Sequence, residues 1–379
     1  MKRIFITLLL LLLLAAGIFS QDMNQRAVIL YLEGSVDISR NGDYLDWADV
    51  DMGTEIENYD LIETGSDGYV EIEVSTPVSP GVTLKIQPDT TFYYDTKKVS
   101  GSTKTSFQLL AGSMGMKVQK LYNDSELDIQ VNNSVMGVRG TEFMVTSTVD
   151  GSTLVTTTEG RVSCKNDAGE EWFSTPGTVC QTTDNGQYRE VAVAVDQVES
   201  YRVNWQKERI DILRSNLSVS LNHYTELYNN YYNRFDRSWR NLESKDDIFQ
   251  KWAGYIMNGN RPSMSEAVLS KQSVSREIME LRSVLPIFQH TFYVLEELGK
   301  AYNEGYGQNI SRQRKTLLNH YFDNYRETRR RLTKSLFYFR IYLEMGKRIT
   351  NSDYNTEGLL DVTSGSNMLM GPPTPNAPF

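Results

Sequence analysis

Over the first half of the chain, apolar and polar positions alternate in short runs rich in Val, Ile, Thr, Tyr and Phe, each closed by Gly, Asp, Asn or Pro. A period of two over four to eight residues predicts half-buried strands. The clearest fall at 27–32, 35–39, 69–74, 82–86, 106–110, 114–118, 142–146, 154–158 and 161–164. Turn chemistry separates them at Asn41-Gly42, Asp67-Gly68, Asp150-Gly151 and Asn185-Gly186. Past about residue 196 the apolar step lengthens to three and four, the period of an amphipathic helix. One such run goes from Ile210 through Leu213, Leu217, Leu221 and Tyr224 to Leu242. A second runs from Val274 through Ile278, Leu281, Leu285 and Phe288 to Tyr302, and a third from Leu318 to Leu343. A shorter helix is expected near 247–256, before the break Asn258-Gly259-Asn260-Arg261-Pro262. Ser273 and Ser275, with Glu277 nearby, are candidate caps for the second long helix.

The pattern predicts a multidomain chain, all-β and then all-α: a β-sandwich or roll over 27–193, followed by an antiparallel helical bundle over 196–349. Intermolecular coiled-coil pairing is the alternative use of the helical seams. The stretch 350–379, with Gly371-Pro372-Pro373-Thr374-Pro375, reads as a flexible tail. A weak echo recurs in the β part at Gly34-Ser35-Val36, Gly112-Ser113-Met114 and Gly160-Arg161-Val162, each glycine marking a turn or bulge before a strand.

Charge separates the same two parts. Residues 1–189 hold 14 Lys and Arg against 26 Asp and Glu, whereas residues 190–379 hold 25 against 22, within a formal net charge of −9. The acidic first part argues against nucleic acid as a partner, because phosphates are repelled. The amino terminus reads as a secretory signal peptide over 1–20: Met1-Lys2-Arg3, an apolar run from Ile4 to Phe19, then a small and polar exit. Its apolar run is shorter than a bilayer span, so no integral span is expected after cleavage and the mature chain is expected in the periplasm. Cys164 and Cys180 are the two cysteines of the sequence, and in an oxidising compartment a hairpin-like approach of their strands would permit a disulfide. Two separately buried thiols are the other reading.

The densest stretch is Val135-Met136-Gly137-Val138-Arg139-Gly140-Thr141-Glu142-Phe143, which sets one arginine between two glycines inside a strand-like run. Arg139 fits either a structural tie to neighbouring backbone or a recognition site for a carboxylate-bearing partner. The stretch resembles the VRGT-type signature of the FecR domain family, and the resemblance extends over about residues 28–180. Gly34-Ser35-Val36 resembles the family's opening glycine strand. Asp60-Leu61-Ile62-Glu63-Thr64-Gly65 resembles its "GD.I.TG" element, with Tyr59 where glycine is common. Residues 106–118 and Glu159-Gly160-Arg161-Val162 resemble later steps of the pattern. The resemblance implies an extracytoplasmic, non-enzymatic β module that transmits or stabilises protein contacts, with Gly137, Val138, Arg139, Gly140, Thr141 and Phe143 as its structural signature. A signalling role would have to pass through a membrane partner, because three residues precede the apolar run.

Catalytic and metal chemistry finds no motif. The acidic run from Asp43 to Asp60 departs from a calcium loop at its fifth, sixth and twelfth positions, and His223, His290 and His320 fall on different helices without HExxH spacing. No cofactor is expected. Two surfaces are candidates for partners. Tyr224, Tyr228, Tyr231, Tyr232, Phe235 and Trp239 keep the phase of the first helix's leucines, which favours core; Tyr231 and Trp239 would otherwise serve a glycan or a partner helix. Arg312, Arg314, Lys315, Arg326, Arg329, Arg330, Arg331 and Lys334 crowd the third helix, either as a solvated face or to meet an anionic surface, including the acidic β part of this or another copy. The expected function is a non-catalytic scaffold or interaction protein of the cell envelope, with a protein partner, self-association through helices, or an envelope glycan as its ligand.

Overall fold

The computed structural model describes residues 26–350 apart from 77–78, 100–101, 119–126, 132–133, 139, 167 and 183–186. The expected signal peptide, the tail beyond residue 350 and Arg139 lie outside the described residues. The β part is two facing sheets. One runs in the order Glu55–Ile56, Arg26–Glu33, Tyr69–Thr76, Ser79–Ile86, the second half of Ser102–Val118, Glu142–Ser147, Thr153–Glu159, Thr178–Thr182 and Tyr188–Ala192. The other runs Asp43–Tyr44, Val36–Arg40, Leu61–Thr64, Thr91–Val99, the first half of Ser102–Val118, Leu127–Val131, Ser134–Val138, Val162–Asn166 and Glu171–Ser174. Among the described residues the pairing of Leu127–Val131 with Ser102–Val118 is parallel and the others are antiparallel.

The strand Ser102–Val118 joins the layers. The sequence suggested two strands, 106–110 and 114–118; they are one, and the chain changes sheets at Gly112. Gly112 sits at φ 96°, and a Cβ there would lie 2.3 Å from Thr90 Oγ1 and 2.6 Å from the carbonyl oxygen of Asp89. Only glycine fits such a bend without moving backbone. Its echoes Gly34 and Gly160 share the positive φ. Between the sheets the inward residues, among them Ile29, Ile72, Leu84, Phe107, Ile129 and Val145, form one core.

Among the described residues six α-helices follow: α1 (Val198–Ser215), α2 (Leu217–Glu243), α3 (Asp246–Met257), α4 (Met264–Asn303), α5 (Arg312–Asp323) and α6 (Tyr325–Thr350). Two expected long helices are therefore each divided, at Asn216 and Asn324. The side-chain amide of Asn324 donates to the carbonyl of His320 at 2.8 Å, so it competes with the helical hydrogen bond and ends α5. The second long helix also begins earlier than expected. Ser263, not Ser273 or Ser275, is its cap, accepting from the Glu266 amide at 3.3 Å. α2 and α4 are antiparallel, since Tyr224 meets His290 while Arg234 meets Glu280. α4 and α6 are antiparallel too, with Phe292 stacked on Tyr325 at one end and Ser275 bonded to Tyr342 at the other. Their shared core holds Leu221, Phe235, Phe249, Phe288, Phe292 and Tyr321. No described helix is long and apolar enough to cross a membrane.

Candidate functional site

In a strand, alternate side chains point to opposite faces. Along the second sheet Ile62, Phe92, Tyr94, Phe107 and Leu109 point into the sandwich core. Their neighbours Leu61, Glu63, Tyr93 and Gln108 must then point outward, yet all four are buried. The bundle covers them. α6 lies along this outer face and meets it through a row of basic side chains.

The centre of the row is Glu63, whose side chain is 1% exposed. Arg329 of α6 donates to its Oε1 from Nε at 2.8 Å, and Nη2 lies at the same distance. The Tyr44 hydroxyl donates to Oε2 at 2.8 Å. Both carboxylate oxygens are thus satisfied, which a buried anion requires. Burial, with the Glu63 charge adding to it, drives the Tyr44 hydroxyl well above its usual pKa, keeping it protonated as a donor. Burial also raises the pKa of Glu296 on α4, against the pull of Arg329.

Three further basic groups extend the seam. Lys334 Nζ donates to Asp43 at 2.9 Å and lies 3.5 Å from Asp246 of α3, which also accepts from the Tyr338 hydroxyl at 2.8 Å. Arg340, 5% exposed, donates to Gln108 Oε1, and its guanidinium carbon stands 4.6 Å from the Tyr93 ring centroid. That cation–π contact contributes on the order of 1–2 kcal/mol in a desolvated setting. Lys300 of α4 reaches Asp89 at 3.1 Å. Apolar contact is supplied by Tyr59, Leu110 and Val149, which pack on the helical core. Tyr59 does so at φ 77°, a conformation ordinarily left to glycine.

The residues singled out in the sequence are dispersed. Gly137 and Val138 lie in Ser134–Val138, between Leu127–Val131 and Val162–Asn166. Val138 is 5% exposed, Thr141 2% and Phe143 3%, and Gly140 turns at φ 60°. Cys164 and Cys180 are both buried, and their strands belong to opposite sheets, so the thiols approach across the sandwich and not along a hairpin. The hydrogen bond with Cys180, then burial, raises the Cys164 thiol pKa. Trp239 is 2% exposed, with Arg331 and Arg330 stacked over it at 4.5 and 5.4 Å. Tyr231 is half-buried beside Arg234. Arg330 and Trp239 are therefore together, while Arg329 is turned into the seam. Nothing in the sequence pattern marks Tyr93, Gln108 or Arg340 as site residues; for Glu63 the signal is an acidic residue between Ile62 and Thr64 in a strand.

Asp60 explains part of the motif that opens at it. It is fully buried, receives Arg40 at 2.8 and 3.2 Å, and accepts from the Glu57 amide at 2.8 Å. Burial pushes its carboxyl up to about 6, although Arg40 pulls the other way. No cluster of three or more His, Cys, Asp or Glu suited to a metal occurs among the described residues.

Residues 60–163 match the family model for FecR protein. Two crystal structures from Parabacteroides distasonis, provisionally described as an anti-sigma factor, are similar at 15% and 14% identity, with TM-scores of 0.31 and 0.30. Each alignment covers 37% of this chain and 63% or 62% of the other, so the chain spans less than two thirds of those structures. No curated protein matches the chain.

Proposed function

We propose that this chain is a non-catalytic regulatory and interaction protein of the cell envelope, exported to the periplasm, with two domains: the FecR-type β domain at 27–193 and the bundle at 196–349. The FecR match over residues 60–163 supports the regulatory class. The observation that carries the two-part reading is the Glu63–Arg329 contact, at which the bundle occupies an outward sheet face through buried charged groups set beside apolar ones. Interfaces between domains of one chain resemble transient protein–protein interfaces and are more polar than obligate ones, which allows the two parts to shift relative to one another. The bundle then sets which β surfaces a protein partner can reach.

A glycan-binding role gains little, because Tyr224, Tyr228, Phe235 and Trp239 are spent on the core. Tyr231 and Arg330 remain at the surface of the bundle, and they are the positions to probe. A photo-crosslinking residue at each, in cells expressing the exported chain, should yield a discrete adduct with an envelope protein that is absent when the probe sits at buried Phe235. Recovery of the chain in the cytoplasmic fraction, or no adduct from either surface position, would remove the basis of this reading.

A further inference from the structure

Trp47 is 85% exposed and Met52 is 63% exposed, within one loop of the β part. An exposed apolar patch of this kind marks interaction surfaces, and Trp is among the residues enriched at interface hot spots. The loop is held in shape by its own polar groups. Asp46 accepts from the Ala48 amide at 3.1 Å, Asp51 from the Met52 amide at 2.7 Å, and Thr54 bonds to Asp49 and Asp51. The Gly53 amide donates to the Ile29 carbonyl at 2.8 Å, tying the loop to the sheet. Trp47 is thus presented on a fixed support, so little ordering entropy is lost when it is covered. The segment 43–57 has six acids and no base. Asp43, Glu55 and Glu57 are paired with Lys334, Arg26 and Arg40, which leaves Asp46, Asp49 and Asp51 as the acidic groups flanking Trp47 and Met52.

A second exposed apolar patch has the opposite charge. At the connection of α3 and α4, Met257, Met264, Val268 and Leu269 are 62%, 65%, 43% and 66% exposed. The segment 251–275 carries Lys251, Arg261 and Lys271 against one acid, Glu266, which pairs with Lys251 at 2.6 Å, so the basic excess rests on Arg261 and Lys271. The two patches lie apart in one copy. The hairpin before Trp47 meets Lys334, which neighbours Asp246 at the start of α3, whereas Met257 is at its other end, about 18 Å along a 12-residue helix.

We propose that the chain associates head to tail, the Trp47–Met52 loop of one copy seated on the Met264–Leu269 end of the bundle of the next. Apolar contact supplies the affinity, and the opposed charges set partner choice and encounter. Different surfaces meet, so the contact is heterologous and builds rings or open chains. This association needs only the chain itself and stands independently of the envelope partner proposed above.

The test is sedimentation of the purified full chain over a wide concentration range at low and high salt. The weight-average mass should rise with concentration at both salt levels, because apolar contact supplies the affinity; at about 1 M salt, where charges are screened beyond about 3 Å, association should weaken but persist. Trp47→Ser and Leu269→Ser should each weaken association on the order of tenfold or more, with unchanged circular dichroism because both sites are exposed. Mixed in equal amounts, these two variants should form dimers and nothing longer, since each retains one intact face. Wild type that stays monomeric throughout, association that either variant leaves unchanged, or a mixture that forms no dimer would each overturn the proposal.

Discussion

Arg329 and Glu63 are 266 residues apart in sequence and 2.8 Å apart in space. The contact ties the last helix to the outward face of a central strand and leaves both charges largely out of water. Removing one partner of such a pair strands the other, which is costlier than the pair's own net contribution. Arg329→Met should therefore lower stability by about 3–5 kcal/mol. Glu63→Gln combined with Arg329→Met should recover more than half of that loss, because a neutral amide needs no countercharge. Urea denaturation of wild type, the two single variants and the double variant gives the coupling; additive effects would show that the pair does not hold the seam.

How much of this arrangement the sequence made legible depends on the distance over which it is encoded. Local period gave the β part, the bundle and the position of most helices, because alternation at Tyr69–Thr76 or a seam from Val274 onward is written within a few residues. The seam itself is not local. Glu63, Tyr93, Gln108 and Arg340 read as ordinary polar positions until the sheet and α6 are superposed, and burial of both faces of Leu61–Thr64 follows from that superposition alone. The basic crowding on the third helix was visible, together with an acidic β part as one partner. Which bases turn inward, Arg329, Lys334 and Arg340, depends on the start of α6 at Tyr325.

Tyr59 stands at a position where the family pattern favours glycine, and it keeps the glycine conformation at φ 77°. Its amide still donates to the Tyr94 carbonyl at 2.8 Å, while its ring packs on the helical core. Tyr59→Ala loses the packing and retains the strain; Tyr59→Gly loses the packing and relieves it. The usual order of glycine and alanine should then invert, with Tyr59→Gly more stable than Tyr59→Ala by about 1 kcal/mol. Both should fall below wild type by thermal denaturation. Equal or reversed midpoints would mean that the left-handed turn is not retained.

Asp60 should give an unusual pH signature. Its carboxyl is raised from 3.8 to about 6 by burial, so between those values the folded chain holds a proton that the unfolded chain has released. Its contribution is therefore favourable at low pH and is lost as pH rises through about 6, by on the order of 3 kcal/mol. Other carboxylates act in the opposite direction, Glu327 among them, lowered to about 2 first by its hydrogen bond with Arg330. The informative quantity is the stability of wild type relative to Asp60→Asn, which should decline from pH 4 to pH 6.5. A flat or rising difference would place the Asp60 titration at its ordinary value, with the Arg40 pair outweighing burial.

Cys164 and Cys180 sit in facing sheets with both thiols buried. Reduced, they should resist alkylation in the folded chain, because the reactive species is the thiolate and the raised pKa of Cys164 suppresses it. Exported to an oxidising compartment, the pair should lose two protons and two electrons to a disulfide-bearing oxidant and close an inter-sheet bridge. Closing a loop of about 15 residues stabilises by about 3 kcal/mol through the unfolded chain. Peptide mapping without reductant should recover residues 164 and 180 in one linked species, and reduction should lower the denaturation midpoint. The Cys164→Ser variant should match the reduced wild type to within the cost of one buried hydroxyl, about 1–3 kcal/mol. Two alkylatable thiols in denatured protein taken from the periplasm would show that the sandwich keeps them as a reduced buried pair.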